Sequence, residues 1–180
     1  MKSIARGFSI LELMVVVALI GIMLAIGMPS FGTWTQNLQT RTAAEAIVAG
    51  LQITKNEAIR RNVNVVLTME TLNGQATTWR MNLESDVDGI PIQRRDGDEG
   101  STNVRAILSP EGAYRTTFNG LGRVNKNIDG SEPMVQIDLD NPMVTPITDV
   151  RKLRIVIPTG GAVKMCDPQV PATDNRACPP

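Results

Sequence analysis

The chain has 180 residues with 18 basic and 18 acidic side chains, 42% apolar residues, two cysteines and no histidine. That is enough apolar material for one modest core, and a balanced charge gives nucleic acid no overall attraction, so any such binding needs a local patch. The missing histidine removes the commonest general base, and with two cysteines alone it leaves no ordinary histidine–cysteine metal centre.

A short basic head, Lys2 and Arg6, leads into Gly7-Phe8-Ser9-Ile10-Leu11-Glu12, and after Glu12 no formal charge appears until Arg41. Residues 13–31 are nearly all Leu, Ile, Val, Met, Ala or Gly, long enough to cross a bilayer as a helix. Lys2 and Arg6 put the N-terminus in the cytoplasm and the remainder outside. A carboxylate costs about 2.5–3.5 kcal/mol at a bilayer centre, so Glu12 at the lip of this segment asks for a functional reason. Two simpler readings compete. Glu12 could snorkel to the headgroups, or a secretory signal could be cut near Ala25-Ile26-Gly27, starting the mature chain at Met28. Glu12 interrupting the start of the apolar run, and the length of that run, argue against the second.

The hexapeptide Gly7 to Glu12, with Pro29 farther down the same apolar helix, resembles the class III signal of type IV pilins and pseudopilins. The resemblance implies a leader of residues 1–7, removed by a membrane aspartyl peptidase (the prepilin peptidase) that cuts between Gly7 and Phe8 and methylates the new amine of Phe8. Gly7 lacks a Cβ and lets a peptidase approach the backbone closely. Glu12, one turn from the Phe8 amine, can meet the amine of a neighbouring subunit among staggered helices. Each charge is unfavourable alone in low dielectric and tolerable as a pair, which sets the register of an incoming subunit.

Residues 8–31 are thus expected to form the membrane and assembly half of a helix, with Gly21, Gly27 and Pro29 as weak points, since proline removes a backbone donor and clashes with the preceding turn. In pilin-like filaments this region loosens during packing, and the resemblance implies the same here. Over residues 32–62 the helix turns amphipathic: Ala43, Ile47, Leu51, Thr54 and Ala58 recur at three- and four-residue spacing, while Glu45, Lys55, Arg60 and Arg61 can lie on the outer side. A helix from Phe8 to Arg61 would be about 80 Å long.

After Asn62 the pattern becomes short strands between turn residues, predicted at 63–69, 77–83, 90–94, 104–108, 115–118, 135–139, 153–157 and 162–165. Asn73-Gly74, Asp88-Gly89, Gly97 to Gly100, Asn119-Gly120, Asp129-Gly130 and Gly160-Gly161 separate them. The spacing favours antiparallel hairpins and leaves no room for βαβ crossovers. The predicted fold is α+β and pilin-like, a long N-terminal helix packed on an antiparallel β-sheet or β-sandwich head of residues 63–180. Asn56 to Val63, Trp79, Phe118-Asn119-Gly120-Leu121-Gly122-Arg123 and the ending Gly160 to Pro168 resemble the GspH/FimT/FimU branch. Outside the inner membrane the nearby Cys166 and Cys178 read as a disulfide, whose closure of so short a loop is worth about 2–3 kcal/mol.

Chemistry beyond assembly finds little support. No catalytic constellation, cofactor motif or metal set is present, so the chain is read as a non-enzyme. Asp86, Asp88, Asp96, Asp98 and Glu99 lack the ligand spacing of an EF-hand and read as solvated turns. DNA-uptake pilins of the FimT kind carry an arginine-rich terminal strand, whereas here only Lys164 stays basic, followed by Asp167, Asp174 and Arg176. Lys164 and Arg176 make a poor phosphate clamp, and nucleic acid is not an expected partner. The resemblance implies a minor pilin that primes pilus assembly in an inner-membrane complex and sits at or near the fibre tip, supporting twitching motility and adhesion. Its partners would be other minor pilins, the major pilin, the peptidase, inner-membrane lipid and a tip adhesin. The alternatives are a minor pseudopilin of type II secretion and a DNA-binding minor pilin of natural transformation.

Overall fold

A computed structural model describes residues 9–72 and 75–179, with the side chains of residues 26, 28–30, 71, 72, 75 and 76 outside that description. Contacts along the chain divide it into two compact units, Met1–Thr35 and Gln36–Pro180. Helix α1 spans Ile10–Arg61 and contributes to both. Ser9 caps it, its hydroxyl oxygen accepting the Leu11 N–H at 3.2 Å and its carbonyl accepting the Leu13 N–H at 3.1 Å. The helical assignment continues through Gly21 and Gly27 without a gap, so neither glycine has opened the helix in the isolated chain. Pro29 lies outside the described side chains.

In the second unit α1 buries Ala43, Ala44, Ile47, Leu51, Thr54 and Ala58, the face that its spacing predicts. Small residues on this face allow close approach. A Cβ added to Gly50 would lie 2.7 Å from Trp79 Cε2, because the indole packs directly on the helix backbone. Gly50→Ala is therefore expected to destabilise the second unit by about 1–3 kcal/mol through overpacking, readable as a lowered thermal midpoint.

The helix ends where its sequence provides a stop. Asn62 adopts φ 53°, the left-handed conformation asparagine tolerates. The Val63 N–H donates to the Ala58 carbonyl and the Asn62 N–H to that of Ile59, both at 3.2 Å, a complete Schellman motif. Glu57 accepts Arg60 Nε at 2.9 Å and also pairs with Arg61, so the last turn closes on its own charges. Hydrogen bonds from Arg60, then Arg61, hold the Glu57 carboxyl at about 2, below its ordinary 4.5. A depressed carboxylate stabilises fully above its unfolded value and loses that contribution as pH falls towards the folded one. Glu57→Gln should thus lower the melting temperature at pH 7, with the gap to wild type narrowing as pH drops from about 4.5 to about 2.

Among the described residues nine strands follow, all paired antiparallel. They are β1 Val65–Leu72, β2 Gln75–Leu83, β3 Gln93–Arg95, β4 Arg105–Ser109, β5 Arg115–Phe118, β6 Val124–Asn125, β7 Gln136–Asp140, β8 Leu153–Val156 and β9 Lys164–Cys166. One sheet has the order β3-β2-β1-β5-β6 and the other β4-β7-β8-β9. Eight predicted strands have counterparts within a few residues. β1 starts at Val65 because the helix stop consumes Asn62 and Val63, and β3 excludes Ile90, which stands exposed. The short β6 is new, and the Asn73-Gly74 turn lies outside the described residues. Leu67, Trp79, Met81, Phe118, Ile137 and Ile155 form one buried cluster with Ile47 and Leu51 of α1. Helix and both sheets therefore share a single core.

Candidate functional site

Three places could carry function: the start of α1, the terminal hairpin, and the charged face of the five-stranded sheet. At the first, Leu13, Met14, Val15, Val16, Leu19 and Ile20 are all exposed, so this part of the helix is apolar around its whole circumference. A helix apolar all round is stable only when something else covers it. Glu12 is the single acidic residue of the first turn and forms no ion pair among the described residues. Gly7 and Phe8 lie outside the described residues. Among the described residues no helix is long and apolar enough to cross a membrane; the undescribed side chains at 26 and 28–30 fall within the apolar run.

The terminal hairpin is stapled as expected. Cys166 and Cys178 form a disulfide, with Cα atoms 4.9 Å apart. The Asp167 N–H donates to the Arg176 carbonyl at 2.8 Å, giving the closed loop a backbone anchor beside the bridge. Gly161, at φ 72°, brings this hairpin onto Gly122, where an added Cβ would stand 2.0 Å from the Gly122 carbonyl oxygen. Lys55 donates from Nζ to the Gly161 carbonyl at 3.0 Å. Lys55 was expected on the outer side of the helix; the structure instead turns it, half-buried, towards the hairpin. The helical spacing located its face only to within one residue's rotation, and a long side chain reaches round the rim.

The basic residues there are mostly spent. Arg176 is held by Asp174 through Nη2 at 2.8 Å, and Arg154 by Asp138 through Nε at 2.6 Å. The Arg176 hydrogen bond pulls the Asp174 carboxyl down to about 2. Lys164 is exposed on β9 and forms no ion pair among the described residues, a single free cation on that strand where a phosphate clamp needs several.

On the five-stranded sheet, Arg94 pairs across from Arg80, Arg80 from Thr68, and Thr68 from Arg115, so three guanidiniums share one cross-strand row. Four carboxylates answer them. Glu70 lies 3.0 Å from Arg80 and 3.4 Å from Arg94, Asp96 is 2.9 Å from Arg94, Asp129 is 3.1 Å from Arg115, and Asp88 stands 3.5 Å from Arg80. Asp88 and Asp96, which could pass for calcium ligands in sequence, are thus turned to arginine, and among the described residues no cluster of three metal-ligating side chains occurs. Sequence alone missed this row because it depends on inter-strand register.

Comparison with known proteins agrees with the fold. A family model described as type II transport protein GspH matches residues 43–167, and one described as the prokaryotic N-terminal methylation motif matches residues 2–28. The fold is similar to the crystal structure of the type IV minor pilin FimU of Pseudomonas aeruginosa, at 17% identity and TM-score 0.51, over 73% of this chain and 91% of that one. The minor pseudopilin EpsH from the type 2 secretion system of Vibrio cholerae aligns over 73% of this chain and 99% of its own, at 12% identity and TM-score 0.48. Among curated proteins, none matches the sequence.

Proposed function

The chain belongs to the GspH family of type II transport proteins, a family of structural pilin-like subunits rather than enzymes, and from that membership we propose that it is a minor pilin of a type IV pilus. Residues 1–7 serve as the leader, cleavage falls between Gly7 and Phe8, and Phe8 carries the methylated amine. Residues 8–31 are the membrane-spanning half of the helix until assembly, and the head of the second unit stands on the periplasmic side. Assembly draws the subunit into an inner-membrane complex with other minor pilins, which primes the fibre and leaves the subunit at or near its tip. Gly21, Gly27 and Pro29 are where the helix loosens as it packs against the major pilin and its sister subunits.

The observation that carries this reading is Glu12, a lone carboxylate in the first turn of α1, followed by no other charge until Arg41 and lying within the methylation motif. The intact mass of the protein recovered from membranes tests it: the chain is expected to begin at a methylated Phe8, and a start at Met28 would overturn the proposal. The second reading is a minor pseudopilin of type II secretion, favoured by the description of the family itself. Partners recovered with the protein from membranes separate the two, since pilus subunits and a tip adhesin support the first and secretion-channel components the second.

A further inference from the structure

The loop 141–152 of the second unit is braced from within and presents an apolar, basic tip. Asn141, fully buried, donates from Nδ2 to the Gln36 carbonyl at 3.1 Å and to Gln36 Oε1 at 3.0 Å. Asn37 Nδ2 donates to the Asp149 carbonyl at 2.9 Å, and Asn37 Oδ1 accepts the Arg151 N–H at 3.0 Å. Val144 and Val150 are buried beneath the loop. Met143 is nevertheless 62% exposed and Ile147 79% exposed, with Pro142 and Pro146 exposed beside them. Arg151 and Lys152 follow, both exposed and neither ion-paired among the described residues. The loop's one carboxylate, Asp149, accepts the Thr148 hydroxyl.

A slack loop could fold Met143 and Ile147 inwards; this one is held so that it cannot, which keeps apolar surface in water for no gain within the monomer. Apolar side chains beside unpaired cations suit the headgroup layer of an anionic bilayer, where the former enter the acyl boundary and the latter meet lipid phosphates. We propose that the loop 141–152 rests on the membrane surface before assembly, Met143 and Ile147 dipping into the headgroup–acyl boundary and Arg151 and Lys152 contacting anionic headgroups. The inference rests on the reading that residues 13–31 lie in the bilayer. Given that reading, chain connectivity alone bounds the geometry: Asn37, which holds the loop, is at most about 20 Å of extended chain from Phe31.

The test uses the full chain in vesicles of phosphatidylethanolamine and phosphatidylglycerol, with Ile147→Cys or Val17→Cys carrying an environment-sensitive fluorophore and brominated lipids as quencher. Both labels are expected to be quenched. Arg151→Ala and Lys152→Ala should reduce the lipid-contacting fraction at Ile147 by about fivefold per cation removed, with no change at Val17. A quenched Val17 label beside a water-exposed Ile147 label overturns the loop proposal and leaves the membrane reading standing. Two water-exposed labels overturn both. Quenching at Ile147 that persists in neutral phosphatidylcholine and rises with the number of chains per vesicle assigns the loop to a second copy instead, and overturns the proposal too.

Discussion

A Glu12→Ala chain is expected to be cut and methylated like the wild type, yet to be nearly missing from purified fibres and from the complex of minor pilins. The expectation follows from where the carboxylate sits. It stands in the first turn of α1, whose next two turns expose Leu13, Met14, Val15, Val16 and Val17, with no cation against it among the described residues. In the proposed bundle of such helices, water leaves and the neighbour's N-terminal amine needs a counter-charge. Removing one partner of a buried pair costs about 3–5 kcal/mol, because the other charge is then stranded, which corresponds to a loss of at least about a hundredfold in recruitment. Glu12→Gln keeps the shape and removes the charge, so it should fail similarly. Immunoblots of sheared fibres and of the co-purified complex measure the result. Wild-type incorporation of either variant would show that register is set by something other than charge.

Gly161→Ala should lose about 3–5 kcal/mol of stability in the head, lowering its melting temperature by on the order of 10 °C. Two penalties act together. The residue holds φ 72°, and the new methyl would lie 2.0 Å from the carbonyl oxygen of Gly122, a backbone atom that cannot swing aside. Gly122 is itself at φ 73° and confined by Ile59 and Lys55 of α1, so the strain spreads into the helix. Gly160 is the control: an added Cβ there meets nothing within 4 Å and its φ is unremarkable, so Gly160→Ala should melt within about a degree or two of wild type. Equal melting of the two variants would mean that the hairpin does not hold its position against the helix.

Much of this architecture is legible in the chain because periodicity reports burial directly. Ala43, Ile47, Leu51 and Ala58 announce the buried face of α1, and Asn119-Gly120 and Gly160-Gly161 announce turns. The two terminal cysteines announce their bridge, since no third cysteine and no histidine competes for them. Register is another matter. Arg94, Arg80 and Arg115 are scattered over three strands, and only the pairing through Thr68 sets them in one row. Side-chain reach is equally hidden: the spacing of Lys55 says where its Cα lies on the helix, and nothing in it says that the ammonium ends on the Gly161 carbonyl. Ser9 could have been recognised as a cap, because it stands three residues before Glu12 at the head of an apolar run.

Ile47 and Leu51 sit among the inward-facing residues of both sheets, so the C-terminal half of the helix is part of the interior of the head. Tension applied along that half is therefore delivered into a core to which both sheets contribute. In the proposed fibre, a pull on the rod is therefore expected to load both sheets of the head at once.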